Sequence, residues 1–193
     1  MAEYHQHTHE FEPVYDSNSR ILILGTFPSV KSRAQHFYYG HPQNRFWKVL
    51  AAVTQEPVPV TIPEKKHLLL SHQIAVWDVI QSCEIIGSSD SSIRNVVPAD
   101  IPGLLEQTSV TAVFGNGAKA CELFQKYTRP LLLSTYAGSK PEAESLCSIR
   151  KLPSTSPANA AWSLERLTDC WRQEIGSYLR YSPSFSSSSR KIQ

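Results

Sequence analysis

Short apolar runs alternate with longer amphipathic stretches along this chain. Ile21-Leu22-Ile23-Leu24 is a continuous apolar run closed by Gly25, the pattern of a strand buried on both faces. Residues 44–53 predict a helix, with Phe46, Trp47, Leu50 and Val53 near a 3.6-residue period. Residues 63–71 predict another, with Pro63 at its first turn. Ile74 to Trp77 reads as a second strand, and Leu104 and Leu105 fall in a short helix. Val110 to Phe114 reads as a third strand, followed by a helix to Tyr127. Either Leu131 to Leu133 or Ser148 to Leu152 supplies a fourth. Residues 160–179 predict a long last helix with Trp162, Leu164, Leu167, Trp171 and Ile175 as its core face. Strands alternating with helices define the α/β class: a three-layer α/β/α sandwich around a central, mainly parallel four-stranded sheet.

In such sheets ligands bind beyond the carboxyl ends of the strands. Three unusual loops each follow a strand: Gly25-Thr26-Phe27-Pro28-Ser29, Gly115-Asn116-Gly117 and Pro153-Ser154-Thr155-Ser156-Pro157-Ala158-Asn159. They are expected to converge on one site. Outside this alternation, residues 1–12 predict a flexible N-terminal tail. Residues 13–181 predict a single domain, and residues 182–193 a Ser-rich disordered tail. The alternation of His5, His7 and His9 could hold a metal, but on a loose tail the plainer reading is three solvated side chains.

Composition narrows the class. The chain has 193 residues, 41% hydrophobic and 19% charged, which is globular composition with enough length to bury a core unaided. No apolar run approaches the roughly 20 residues of a membrane helix, and no secretory leader is legible. The four cysteines are scattered without a CxxC pair, which fits a reducing compartment and an intracellular protein, cytoplasmic or, in a eukaryote, nuclear. A formal net charge of +2 argues against a surface coated in positive charge. The distribution says more. From Ser17 to Gln55 there is no acid, yet Arg20, Lys31, Arg33, Arg45 and Lys48 lie there. A second acid-free window, Ser145 to Leu164, carries Arg150 and Lys151. Such windows suit a docked polyanion; chance and apolar strand content are the bland alternative.

The motifs carry candidate chemistry. In the first loop, Gly25 permits close backbone approach, Pro28 fixes direction, and Phe27 offers a stacking face. His41-Pro42-Gln43-Asn44-Arg45-Phe46-Trp47 places polar groups at a helix start, where free N–H groups favour an anion or a polarised water; Asn44 there is otherwise a simple N-cap. The stiff, hydroxyl-bearing loop from Pro153 to Asn159 can press into a minor groove or meet phosphates, or merely lead to a helix capped by Asn159. Gly115-Asn116-Gly117-Ala118-Lys119-Ala120 has the form G-x-G-x-x-A, but it lies mid-chain with no acid ending the next strand, so Asn116 reading a base edge suits it better than a dinucleotide. Gly87 to Asn95 is a polar loop, solvated or lining a pocket. Asp78 is the acid nearest the strand ends, and could equally cap a short helix. No Ser-His-Asp, Walker or HExxH pattern is present.

Taken together, GTFPS, HPQNRFW and LPSTSPANAAW resemble the uracil-DNA glycosylase superfamily, and within it the hypoxanthine-DNA (deoxyinosine) glycosylase branch, over roughly residues 9–179. In the mismatch-specific enzymes the first motif reads like GINPG and its Asn positions water; Phe27 stands there in this chain. In the hypoxanthine branch the catalytic asparagine is attributed to the HPQN segment, which matches Asn44. The second motif, STSPAN, has no His to support a leaving base, which favours a purine over uracil.

The resemblance implies hydrolysis of the N-glycosidic bond of a deaminated base, hypoxanthine in deoxyinosine, after the nucleotide is flipped from the duplex. Asn44 would position the attacking water through Oδ1 and Nδ2. Gly25, Thr26, Phe27, Pro28, Ser29, Tyr39 and Asn116 would form the base pocket. Ser154, Thr155, Ser156, Pro157 and Asn159, with Lys31, Arg33 and Arg45, would hold DNA. No cofactor or metal is implied, and the enzyme would act as a monomer. The alternatives are a uracil or G:U/T mismatch glycosylase on the same fold, and a non-catalytic nucleic-acid-binding module.

Overall fold

The computed structural model describes residues 3–137 and 145–179. Four strands, β2 (Ile21–Gly25), β3 (Ile74–Asp78), β6 (Ala112–Asn116) and β7 (Ile149–Leu152), form a parallel sheet in the order β3-β2-β6-β7. Every residue of β2 and β3 is buried. Burial of both faces requires a layer on each side of the sheet, which is the expected α/β/α arrangement. Ile149–Leu152 is the fourth strand; Leu131 to Leu133 lie instead in helix α6 (Arg129–Thr135).

The helices start where backbone donors find acceptors. The predicted helix over residues 44–53 begins later, as α2 (Phe46–Thr54). It is buried almost all round, through Phe46, Trp47, Val49, Leu50 and Val53. Helix α3 (Ile62–Ser71) opens with a capping box in which Thr61 and Glu64 satisfy each other's backbone N–H groups. Short helices α1 (Val30–Gln35) and α4 (Ile101–Glu106) follow β2 and β5 (Arg94–Pro98). After β6, α5 (Ala118–Leu123) widens into a π-helical turn over Phe124–Thr128, just before Pro130, which has no N–H to return to that turn.

The predicted last helix is shorter at both ends. Helix α7 runs Leu164–Ile175, capped by the Ser163 side chain rather than Asn159, with a 3₁₀ turn at Gly176–Tyr178. Leu167, Trp171 and Ile175 are buried, but Leu164 is exposed and Trp162 only half-buried. Residues 160–163 do not join the helix: Ser163 is extended and its side chain accepts from Arg166 N–H as the N-cap, while Arg45 holds the carbonyls of Asn159 and Trp162 ahead of it.

The largest departure is at the N-terminus, where a flexible tail over residues 1–12 was expected. His5–Thr8 form β1, antiparallel to β4 (Ile80–Ile85), which in turn pairs with β5. Edge strands tolerate polar side chains because backbone pairing, not apolar burial, holds them. Val14 then bridges to Val76 beside β3. His5 and His7 stay on the strand while His9 turns into the interior, so the three do not converge; no metal-binding group of three or more His, Cys, Asp or Glu occurs among the described residues. The Ser-rich tail, residues 182–193, lies outside the described residues. No helix among them is long and apolar enough to cross a membrane.

Candidate active site

The carboxyl ends of β2, β3, β6 and β7 surround one cavity of about 490 Å³, within the range of small-molecule sites. All three loops reach it. Gly25, Thr26, Phe27, Pro28 and Ser29 contribute one stretch of its wall; Tyr38, Tyr39, Asn44, Asn116, Ser154, Ser156 and Pro157 also line it. The Thr26–Ser29 wall is tied down rather than loose. The Gly25 and Thr26 carbonyls accept from Val79 and Ile80 N–H, and Ser29 caps α1. The polar loop before β5 is not simply solvated. Ser88 accepts from Val30 N–H, Asp90 accepts from the Thr26 hydroxyl, and both line the cavity.

Backbone donors fix the two amides. Phe46 N–H donates to Asn44 Oδ1 at 3.0 Å, and Thr155 N–H donates to Asn116 Oδ1 at 3.0 Å. Asn116 therefore presents Nδ2 to the Thr155 hydroxyl, 2.9 Å away. That hydroxyl, already accepting, donates onward to Asn44 Oδ1 at 2.9 Å. The direction of this relay follows from donor and acceptor identity alone. Asn44 Oδ1 is thus doubly occupied, and among the described residues its Nδ2 has no partner. Only Nδ2 is open to hold a water or face a developing charge, not both ends of the amide as expected.

Four residues expected to hold DNA do something else. Thr155 is fully buried and links the two amides. Arg45 is consumed as a clamp: its guanidinium donates to the carbonyls of Thr155, Ser156, Asn159 and Trp162. Arg33 donates to Pro28 O and Gly87 O at 2.7 and 3.2 Å and stands 5.9 Å from the Phe27 ring centre. Asn159 donates to Ser154 O and shapes its own loop. Lys31 is exposed and lines the cavity, and its ammonium and the Ser154 and Ser156 hydroxyls remain available to a phosphate; Pro157 beside them offers only an apolar surface. Arg150 and Lys151 are exposed on β7 and do not line the cavity.

The base-pocket residues split similarly. Phe27 is buried but reaches the cavity. Tyr39 is stacked on Phe46 at 3.7 Å, and its hydroxyl is buried beside the Asn116 amide. Burial, then the charge of Asp78, pushes that hydroxyl's pKa well up. The GNG turn is explained by packing. A Cβ at Gly115 would lie 2.5 Å from Cys121 Sγ, and Gly117 has φ +101° against Ser154, so no dinucleotide is needed to account for the glycines.

Two acids complete the cavity, and a buried histidine outside it backs one of them. Asp78 is the last residue of β3, not a helix cap, and its Oδ2 accepts from His9 Nε2 at 3.0 Å. Asp90 has its pKa raised, chiefly by burial and further by Asp78, with the Thr26 bond opposing. The position of Asp78 was legible as an acid closing an apolar strand; His9 had no such signal.

Comparison with known proteins is consistent across sequence and structure. A model of the Uracil DNA glycosylase superfamily matches residues 12–178. The hypoxanthine DNA glycosylase of Methanosarcina acetivorans is 35% identical over 158 residues, 81% of this chain and 90% of that protein. The Methanosarcina barkeri protein of the same name is 36% identical over 86 residues, 44% of this chain and 54% of that protein. A solution NMR structure from Methanosarcina acetivorans, described as a candidate uracil DNA glycosylase, superposes with a TM-score of 0.68 at 31% identity, covering 87% of this chain and 96% of that one.

Proposed function

Because this chain belongs to the uracil DNA glycosylase superfamily, we propose that it hydrolyses the N-glycosidic bond of deoxyinosine in DNA, releasing hypoxanthine. The observation that carries this reading is the meeting of Asn44, Asp78 and the aromatic wall in one cavity beyond the sheet. The glycosidic carbon is unreachable inside the base stack, so the nucleotide must swing out, and a mispaired base costs least to extrude. Lys31 and the Ser154–Pro157 loop line the cavity where the flanking backbone would pass.

In the pocket, Phe27 supplies an apolar face. Asp78 supplies an acceptor for the N1–H of hypoxanthine, a donor that adenine lacks; a site built on a required hydrogen bond rejects the base that cannot make it. As the bond breaks, the sugar becomes oxocarbenium-like and electron density moves to the purine. The Asn44 amide holds water by an Nδ2–H to one lone pair, leaving the other for the sugar carbon, which is a positioning role. Because its Oδ1 accepts two bonds, the amide is polarised and the remaining N–H donors strengthened.

Asn44→Ala is expected to abolish base release while leaving binding to an inosine duplex nearly unchanged. Alkaline nicking of labelled duplexes, beside a binding titration, measures both; parental activity in the variant removes Asn44 from the reaction. Uracil is the second reading, since its N3–H beside a carbonyl also suits Asp78. The same assay on inosine, uracil and xanthine duplexes separates them, and preferential uracil release would overturn the purine assignment.

A further inference from the structure

We infer that His9, delivered by the N-terminal strand, is a positioning residue that aims the Asp78 carboxylate at the flipped base. This rests on the reading of Asp78 given above. His9 is fully buried, and Asp78 nearly so, at 7% side-chain exposure. Its backbone N–H donates to Gln81 O at 2.7 Å, and the preceding residues pair with β4. The imidazole sits among Phe11 (4.4 Å), Tyr38 (5.7 Å) and Phe27 (6.3 Å), which leaves it little freedom to turn.

The tautomer follows from the surroundings. Nδ1 is buried with no hydrogen-bond partner. A proton there would be an unpaired buried donor beside apolar rings, so Nε2 carries it and donates it to Asp78 Oδ2. Oδ1 is left without a protein partner among the described residues. It lies directly over Gly25, where a Cβ would come within 2.2 Å of it. Gly25 thus clears the space in which Oδ1 faces the cavity. A carboxylate swings about two side-chain torsions; one bond to a caged imidazole fixes its plane and leaves a single oxygen to accept from a ligand N–H. The N-terminal strand is therefore part of base recognition, acting through Asp78 without touching the base.

The test measures kcat/KM for base release from inosine duplexes with the parent chain and the His9→Phe, His9→Gln, Asp78→Asn and His9→Phe/Asp78→Asn variants. His9→Phe is expected to lose at least about tenfold, the scale of one hydrogen bond to a buried charge. His9→Gln, whose amide N–H reaches about the Nε2 position, is expected to keep most of the activity. In the Asp78→Asn chain, adding His9→Phe is expected to cost nothing further, because the two residues act as one unit. A folded His9→Phe chain with parental kcat/KM, or losses that multiply in the double variant, overturns the inference. If His9→Phe does not fold, His9→Asn against His9→Gln decides: the shorter amide falls short of the carboxylate and loses the same factor, and equal rates overturn the inference. The parent arm tests the substrate separately. A parent that releases uracil but not hypoxanthine sinks the proposed substrate, and the same variant comparison is then read on uracil.

Discussion

At the scale of single residues, the site is governed by which atoms are already spoken for. Asn44 Oδ1 receives Phe46 N–H and the Thr155 hydroxyl, and that hydroxyl in turn receives Asn116 Nδ2. Thr155→Val keeps the shape and deletes the link. It strips one bond from Asn44 and leaves the Asn116 amide N–H unpaired at a site where Thr155 itself has no solvent exposure. The expected result is a fall in kcat of about 10- to 100-fold, the range for one to two lost hydrogen bonds in a buried network. Binding of an inosine duplex should change little, and Thr155→Ser should restore most of the rate. A Thr155→Val chain that instead loses DNA affinity at unchanged kcat would return this residue to the DNA-contacting role that its loop suggested. The sequence could not distinguish these roles, since a hydroxyl in a Pro-bounded loop looks the same whether it faces out or in.

At the scale of elements, Arg45 explains why two segments distant in sequence act as one. It stands at the start of α2, and its guanidinium closes on four carbonyls of the loop between β7 and α7. The Arg45 backbone N–H adds a further bond to Thr155 O at 3.1 Å. The planar, five-donor fork suits that task and a lysine ammonium does not. Arg45→Lys is therefore expected to lower kcat/KM by roughly tenfold and to open residues 153–162 to proteolysis. The salt dependence of DNA binding should stay the same even in Arg45→Gln, which removes the charge, because no phosphate contact is lost. A salt slope smaller by about 1 would instead make Arg45 a phosphate ligand. Sequence pattern placed both elements but not their linkage. Periodicity located α2 through Phe46, Trp47, Leu50 and Val53, whereas α7 starts late, at the Ser163 cap, after a segment whose carbonyls are held from across the molecule. The N-terminal strand was illegible for a related reason: β1 is polar, and only its long-range pairing with β4 makes it a strand.

For the molecule as a whole, the apolar strand runs made the parallel sheet legible, and the sheet's carboxyl edge made the site's location legible. What the pattern could not show is that the site works against the fold. Asp90 is pressed into the cavity wall, and burial, with Asp78 adding to it, raises its carboxyl pKa above the ordinary value of 3.8 despite the Thr26 bond. A raised carboxyl pKa means that the folded chain holds this proton more tightly than the unfolded chain. Below the ordinary value both states are protonated and nothing is lost; as pH rises through the raised value, ionisation costs the fold stability, and above it the full cost persists. Asp90→Asn keeps an acceptor for Thr26 and removes the charge. The variant should melt higher than the parent at neutral pH, on the scale of about 2–4 °C for each kcal/mol relieved. The gain should shrink as pH falls through the raised pKa and vanish below the ordinary one. Melting curves of both chains across that range check the sign, and a gain that grows toward acid would mean that Asp90 stabilises the fold as a charge. Stabilising variants at such sites commonly cost function, so reduced base release by the more stable chain would mark Asp90 as kept for the reaction rather than for the fold.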